Sequence, residues 1–396
     1  MRILIAGAGI AGPTLAWWLH RYGFQPTIVE KSPALRTGGY IIDFWGAGYE
    51  IAGRMGLLPE LQRVGYHVRE VRIVNDRGRR ISGFNTDAFW RMTDGNFVSL
   101  GRGDLAAAIF RLIEDKVETR FGDSVRSIVE HDNAVQVEFE SGVQQEFDLV
   151  MGADGLHSQV RNLVFGPEDQ YEKYLGCKAA AFTAPGYEPR DELIYLMYSQ
   201  VGGQVARFSM RDGRTMFLFT FADDDPAIGA LADQKRQLHS RFGDSGWECS
   251  RILAALDRAD QLYFDRVSQI RMGTGEGAWH RGRVALLGDA ASCISFLGGQ
   301  GSALAMTAAY LLAGELRRCQ GDYHEAFRAY ERRFSPFVLR KQKAALRFSG
   351  TFVPRSRPSI LLRNLVMKMM NWGPIADMIV RGDLADRLDL SNFQSA

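Results

Sequence analysis

The sequence predicts an α/β fold: a Rossmann-type nucleotide-binding domain with an inserted antiparallel sheet and helices at the C-terminus. An apolar run at residues 3–6 leads into a glycine-rich turn and a helical pattern, as in a βαβ unit. Residues 180–221 instead alternate apolar and polar side chains and are rich in aromatic rings, which is typical of antiparallel strands. The chain beyond Ser302 has a helical pattern.

The first element is predicted to be a buried parallel strand, because residues 3–6 are apolar without interruption. A helix over residues 11–22 and a second strand over residues 26–30 complete the βαβ unit. Glu30 ends the second strand, 18 residues after the last glycine of the turn. An acidic side chain at this position binds the ribose hydroxyls of a dinucleotide.

The turn between the first strand and the helix has the spacing GxGxxG. Gly7 permits the tight turn, Gly9 lets a pyrophosphate approach the main chain, and Gly12 lets helix and strand pack closely. The N-terminus of the helix offers free N–H groups and a positive dipole end to the phosphates. Together with Glu30, the turn predicts a dinucleotide site.

Strands and one helix are predicted between this unit and the aromatic-rich insertion. Residues 71–81 read as two strands joined by a turn, and residues 103–115 as a helix. Three alternating segments predict a three-stranded meander over residues 125–150. The insertion itself is expected to contain strands at residues 194–198, 206–210 and 215–219.

A second nucleotide-binding element is predicted late in the chain. The apolar strand 284–287 delivers Asp289 to a strand end, where its carboxylate can accept hydrogen bonds from sugar or ribityl hydroxyls. The glycine-rich turn 297–301 then opens a helix at Ser302, whose N-terminus can stabilise an anionic reduced flavin. An NAD dehydrogenase has no need for this element, so it favours FAD over NAD.

Two further segments are also candidate nucleotide-binding elements. The apolar strand after Asp148 ends in Asp154-Gly155 and leads into a helix that begins near Ser158. Arg102 lies directly before another predicted helix, from which it can reach a pyrophosphate or the polar edge of a flavin. Taken alone, the Asp154 segment is compatible with another strand–turn–helix of the same domain, and Arg102 is equally compatible with a solvated surface position.

The three motifs, in this order, resemble the class A flavin monooxygenases of the para-hydroxybenzoate hydroxylase type over about 300 residues. Residues 38–48 are most similar to the tetracycline-inactivating monooxygenases and their relatives. Asp43 is shifted by one position from the flavin-contacting aspartate expected there. Because side chains alternate faces along a strand, this shift leaves the role of Asp43 open.

The resemblance implies a discontinuous FAD-binding domain, a substrate domain built on the antiparallel sheet, and a C-terminal helical segment. The FAD-binding domain is expected over 1–72, 99–175 and 266–335, the substrate domain over 73–98 and 176–265, and the helical segment over 336–396. The residues expected to bind the cofactor are Gly7, Gly9, Ile10, Ala11, Gly12, Glu30, Lys31, Arg102, Asp154, Asp289, Gly299, Gly301 and Ser302.

The implied reaction uses NADPH or NADH as a transient electron donor and O2 as the oxidant. A flavin C4a-hydroperoxide would then hydroxylate an aromatic or polycyclic small molecule. This chain has Ser292 and Ser295-Phe296 where the family usually has a histidine and two prolines near the flavin. An oxygen-independent flavin reductase or dehydrogenase, or a flavoprotein that only sequesters a ligand, therefore stays open. A flavin-dependent halogenase is disfavoured, since no Trp-x-Trp segment occurs.

No catalytic side chain and no metal site is assigned. His157 and His280 are possible bases, but a structural role is favoured for both. The aromatic strands are expected to form the core of their own sheet, or else the floor of an apolar substrate pocket. Their residues are Tyr195, Met197, Phe208, Met210, Phe217 and Phe219.

Composition narrows the possible partners and compartment. A formal net charge of +2 gives no electrostatic reason for a nucleic-acid partner. The four cysteines have no CxxC spacing, which argues against structural zinc or a disulfide framework and fits a reducing cytoplasm. The basic, amphipathic run 360–372 is expected to pack across both domains rather than to touch a membrane. A monomer or weak homodimer is expected.

Overall fold

The computed structural model describes residues 1–36 and 38–372, together with Leu388, Leu390 and Phe393. Its strands are β1 Arg2–Ala6, β2 Gln25–Glu30, β3 Ile41–Trp45, β4 Glu70–Val74, β5 Arg80–Asn85, β6 Phe97–Gly101, β7 Glu118–Phe121, β8 Val125–Glu130, β9 Val135–Phe139, β10 Gln144–Phe147, β11 Leu149–Gly152, β12 Glu172–Pro185, β13 Ile194–Gln200, β14 Gly203–Ser209, β15 Arg214–Ala222, β16 Tyr263–Ile270, β17 His280–Arg281 and β18 Val284–Leu286.

Helices connect and cover these strands. They are α1 Ala11–Arg21, α2 Ala47–Arg54, α3 Leu58–Val64, α4 Asp87–Met92, α5 Arg102–Arg111, α6 Gln159–Val164, α7 Leu231–Phe242, α8 Cys249–Asp257, α9 Asp289–Ser292, α10 Gly301–Arg318, α11 Tyr323–Phe352 and α12 Arg357–Met369. Within the described ranges no helix is both long and apolar enough to cross a membrane.

A six-stranded sheet lies at the centre of the nucleotide-binding half. Its strand order is β17-β18-β11-β1-β2-β7, and every pair except the β17–β18 edge pair is parallel. Strand β1 pairs with β2 on one side and β11 on the other, which places Ile3 between Pro26 and Leu149. The fully buried apolar side chains of β1 explain this central position, since both of its faces are covered.

The predicted meander is present as the three-stranded antiparallel sheet β8-β9-β10, but its third strand is shorter than expected. Strand β10 ends at Phe147, and the amide of Asp148 donates a hydrogen bond to the carbonyl of Arg2. The next four residues are all buried and form β11 of the parallel sheet. One apparent strand over 145–150 is therefore two strands in different sheets.

The antiparallel insertion forms a seven-stranded sheet with the order β16-β12-β15-β14-β13-β4-β5. On one face, Phe217 and Phe219 pack with residues of α7 and α8 such as Phe242. On the other face, Phe208 and Met210 pack against Ile41 of the small β3–β6 sheet. The predicted fold class is thus confirmed: a Rossmann-type half, an inserted antiparallel sheet and C-terminal helices.

The domain limits stay a prediction. Strand β16 pairs with β12 of the larger sheet and crosses the expected limit at 265/266, and α11 crosses the expected limit at 335/336. Helix α12 packs against β5, with Arg363 buried and donating to Gln204, while Leu361 and Leu362 are exposed. The expected helical segment is described as far as residue 372, and most of its remainder, 373–396, lies outside the described residues.

Candidate active site

The glycine-rich turn has a geometry that only glycine tolerates at two positions. Gly7 has a φ of +105°, and a Cβ there would lie 2.5 Å from the carbonyl oxygen of Ala153. At Gly12 a Cβ would lie 1.9 Å from the carbonyl oxygen of Gly7. Both glycines therefore let the strand, the turn and helix α1 approach each other closely.

The middle glycine of the turn, Gly9, faces open space. A Cβ on Gly9 would meet only the guanidinium of Arg102, at 3.9 Å. Helix α1 begins directly after this point, with no side-chain cap and no acidic residue in its first turn. Its free N–H groups and the Arg102 cation thus border a space suited to an anionic group such as a pyrophosphate.

Glu30 is held at the end of β2 by two main-chain amides. Its Oε2 accepts from the amide of Ala8 at 2.8 Å, and its Oε1 accepts from the amide of Ser32 at 2.9 Å. The side chain is only 5% exposed, so these bonds fix its orientation. Each carboxylate oxygen still has capacity to accept a second hydrogen bond, as from a ribose hydroxyl.

Asp154 stabilises the turn that follows β11. Its carboxylate accepts from the hydroxyl of Ser158 at 2.5 Å and from the amide of Val160 at 3.0 Å. The buried Arg161 then donates to the carbonyl of Ala290 at 3.0 Å. The Asp154 turn is thereby joined directly to the Asp289 turn, a connection that sequence spacing did not reveal.

Asp289 begins α9 after a sharp turn at Gly288, which has a φ of +60°. Burial raises the pKa of the Asp289 carboxyl, and the positive charge of Arg102 opposes that shift. The Gly298–Gly301 turn lies beside it, since a Cβ on Gly301 would be 4.0 Å from Asp289 Oδ1. Helix α10 starts at Gly301 without a side-chain cap or an acidic residue in its first turn.

These segments surround one cavity of about 1590 Å³, called the central cavity below. Every predicted cofactor residue lines it except Gly12, which lies behind the turn and packs against Gly7. Its lining continues onto the larger sheet through Phe182, Met210 and Met216. Cavities for single small ligands usually measure about 300–1,000 Å³, so this one has room for a cofactor and a second ligand.

Ser295 gives an independent test of whether a ligand fits here. It lines the central cavity, is 4% exposed, and has no hydrogen-bond partner for its hydroxyl among the described residues. A buried polar atom without a partner is costly, and a bound polar group can supply that partner. The glycine turns, the two uncapped helix starts and this hydroxyl all suit FAD.

An aromatic group beside the late turn was not predicted. The ring of Tyr40 lies 4.7 Å from that of Phe296 and 5.7 Å from that of Tyr263, and all three line the central cavity. Burial raises the pKa of Tyr40 to about 12, so its hydroxyl stays neutral. Its position next to the Gly38-Gly39 pair is a signal that could have identified Tyr40, whereas Tyr263 has no such local signal.

Neither of the two histidines considered as possible bases is well placed for that role. His157 contacts Asp265 at 3.3 Å and Glu168 at 2.8 Å, and these carboxylates raise its pKa to about 9. It is therefore protonated at neutral pH and is a poor proton acceptor, although it lines the central cavity. His280 does not line this cavity, and burial lowers its pKa.

The aromatic strands are mainly core, which is the role that was favoured for them. Phe217 and Phe219 belong to the core between the sheet and its helices. Tyr195, Phe208 and Met210 pack on the opposite face, towards the β3–β6 sheet. Of these five residues Met210 lines the central cavity, so a role as the floor of a substrate pocket stays a prediction.

Comparison with known proteins agrees with this geometry. The model of the FAD binding domain family matches residues 111–338. A flavin-dependent monooxygenase from an unknown prokaryotic organism is 35% identical over 355 residues, covering 89% of this chain and 90% of that protein. The crystal structure of tetracycline destructase Tet(55) superposes with a TM-score of 0.83 at 31% identity, covering 98% of each chain. That of tetracycline destructase Tet(51) gives 0.78 at 33% identity, covering 94% of this chain and 97% of that one.

The chain therefore belongs to the class A family of FAD-dependent monooxygenases. It is an oxidoreductase with FAD as its cofactor, as the sequence predicted. The resemblance to the tetracycline-inactivating subgroup is also confirmed, since two of its members are among the similar solved structures.

Proposed function

We propose that this chain is an NAD(P)H- and O2-dependent FAD monooxygenase that hydroxylates an aromatic or polycyclic small molecule. The observation that supports this most is the continuity of the central cavity. It runs from the glycine turns at Gly9 and Gly299 to the apolar side chains of Met210 and Met216. A cofactor and an apolar substrate can therefore share one continuous space.

The side chains that line the Rossmann half are assigned to hold FAD. The turn at Gly9 and the start of α1, with Arg102 beside them, would hold the pyrophosphate, and Glu30 would accept from the ribose. Asp289 would accept from the ribityl chain, and the start of α10 would stabilise negative charge on the reduced ring. The remaining assigned contacts are Gly7, Ile10, Ala11, Lys31, Asp154, Gly299, Gly301 and Ser302, whereas Gly12 acts by letting α1 pack against the turn.

FAD, when bound, supplies the redox chemistry: it accepts a hydride from the nicotinamide and activates O2. The side chains of this chain bind, orient and exclude water. The sequence contains one GxGxxG turn, which we assign to FAD. NADPH or NADH would then bind transiently, without a Rossmann unit of its own.

The substrate class follows from the apolar wall of the cavity. Phe182, Met210 and Met216 offer dispersion contacts and few hydrogen bonds, which suits planar, apolar rings. Because two similar structures are tetracycline destructases, tetracyclines are the first polycyclic compounds to test.

The test is a screen of aromatic and polycyclic compounds for faster NADPH oxidation, followed by mass spectrometry of the product under isotope-labelled O2. The proposal expects a stimulated rate and one labelled oxygen atom in the product. Unlabelled product would indicate an oxygen-independent reductase, and tight binding without NAD(P)H turnover would indicate sequestration. Either result would overturn the proposed reaction.

A further inference from the structure

Two serine hydroxyls in the wall of the central cavity are buried without a hydrogen-bond partner among the described residues. Ser295 is 4% exposed and Ser268 is 1% exposed, and both line this cavity. A buried hydroxyl without a partner is costly, and a bound polar group can remove that cost. The two hydroxyls therefore mark a part of the cavity where a ligand is expected to present polar atoms.

Cys293 connects the two serines. Its thiol donates to the carbonyl of Ser268 at 3.6 Å, and its carbonyl accepts from the amide of Ile270 at 3.1 Å. Ser295 follows Cys293 by two residues. Strand β16 and the loop after α9 thus bring both serines to the same part of the cavity wall.

The backbone of Ser295 has a conformation that residues other than glycine rarely adopt, with a φ of +94° and a ψ of 153°. Its carbonyl accepts from the amide of Gly298 at 3.1 Å, and the ring of the next residue, Phe296, packs 4.7 Å from that of Tyr40. Such strain persists only where the surrounding structure fixes it, and it is concentrated at ligand sites. The position of Ser295 is therefore set before a ligand binds.

The part of FAD expected beside Ser295 is the flavin ring. The hydrogen bond to Gly298 joins Ser295 to the turn that leads into α10, and the start of α10 is assigned above to the reduced ring. Tyr40 and Phe296 add aromatic surface to the same stretch of the cavity. Flat apolar surface together with hydroxyl donors suits a planar ring that has a polar edge.

We propose that the hydroxyls of Ser295 and Ser268 donate hydrogen bonds to the polar edge of the flavin ring and thereby favour its reduced form. Reduction adds two electrons and one proton to the ring, which leaves one negative charge. Hydrogen bonds to a charged acceptor are stronger than those to a neutral one, so the reduced ring gains more from the two hydroxyls. This inference rests on the proposed assignment of the Gly298–Gly301 turn to the flavin. It gives a role to the serine that stands where the family usually has a proline.

The test measures the midpoint potential of bound FAD by anaerobic equilibration with a reference dye, in protein saturated with FAD. Ser295→Gly removes one hydroxyl, and glycine tolerates the positive φ. Ser268→Ala removes the other. In each variant the ratio of reduced to oxidised flavin at a given potential should fall by about tenfold. For a two-electron couple this is a shift of about 30 mV towards more negative potential.

A matched control is Ser209→Ala on β14. The Ser209 hydroxyl is also buried without a partner among the described residues, but Ser209 does not line the central cavity. This variant should keep the wild-type potential. An unchanged potential in Ser295→Gly or in Ser268→Ala would overturn the proposal, and so would an equal shift in Ser209→Ala. Because the measurement needs no NADPH, O2 or substrate, its result is independent of whether the monooxygenase reaction is confirmed.

Discussion

The two halves of the central cavity are built from different parts of the chain. On the Rossmann side, the lining combines the turns at Gly7–Gly9 and Gly299–Gly301 and the starts of α1 and α10 with charged side chains such as Asp289. On the side of the larger sheet, it consists of side chains such as Phe182, Met210 and Met216. The cofactor half thus depends on close backbone approach, and the substrate half on the shape and chemistry of side chains.

This difference has a consequence for substitution. Main-chain donors are fixed by the fold, so a change that displaces the backbone should remove cofactor binding altogether. Side chains on the larger sheet can be exchanged while the sheet stays intact, so changes there should alter substrate affinity and leave FAD in place. Four variants can break or sharpen this contrast.

The largest effect is expected for Gly12→Ala. The new Cβ would lie 1.9 Å from the carbonyl oxygen of Gly7, so helix α1 must move away from the turn. We expect a loss of about 1–3 kcal/mol in the free energy of unfolding and protein purified without FAD. Gly275→Ala is the matched control, since a Cβ there meets no atom within 4 Å. Full flavin absorbance in purified Gly12→Ala would contradict the role given to the turn.

Asp289→Ala should weaken FAD binding by about tenfold to 100-fold, through loss of hydrogen bonds from a charged acceptor. The backbone of the turn is unchanged, so the protein should still fold. Flavin absorbance per protein measures this occupancy, with Asp115→Ala at an exposed turn position as the control. The same FAD content in both variants would remove Asp289 from the cofactor site.

Met210→Ala tests the other half. Met210 is 9% exposed and lines the central cavity, so its loss should raise the KM for a polycyclic substrate by about fivefold to 30-fold. The Kd for FAD should not change. Met55→Ala is a suitable control, because Met55 is buried in the Rossmann half outside the cavity. Its substitution should lower stability without changing KM, and an equal rise in KM would refute the contrast.

The smallest effect is expected at His157, whose ion pair with Asp265 joins the two halves. Its pKa is raised from 6.5 to about 9, so its stabilising contribution is complete below pH 6.5 and disappears as pH rises through about 9. With 44% of the side chain exposed, that contribution should be about 1 kcal/mol or less. Urea unfolding of His157→Gln should approach wild type at high pH, with His131→Gln as the baseline. A deficit that grows with pH would contradict this assignment.

The cofactor half was predictable from sequence because its signals are local. Gly7, Gly9 and Gly12 lie within one turn, and Glu30 follows at a fixed spacing. Asp289 was recognisable for the same reason, as a residue directly after an apolar strand. The fold class followed from the same periodic patterns and from the alternation of the inserted strands.

The substrate half was less predictable because its contacts are distant in sequence. Ile41 of the β3–β6 sheet packs in one cluster with Met210 and Met216 of the larger sheet, and all three line the cavity. No spacing rule connects these three positions. The break of the predicted third meander strand at Asp148 was missed for a related reason, since the partner strand β1 lies at the other end of the domain.

The central claim is that the cofactor and the substrate are held by separate sides of one cavity. It is tested most directly by the Kd for FAD of Asp289→Asn and Met210→Ala, measured side by side by flavin fluorescence. We expect Asp289→Asn to bind FAD about tenfold or more weakly and Met210→Ala to bind it as the wild-type protein does. An equal loss of FAD affinity in Met210→Ala would show that this side chain contributes to the cofactor site, and would contradict the division of the cavity described here.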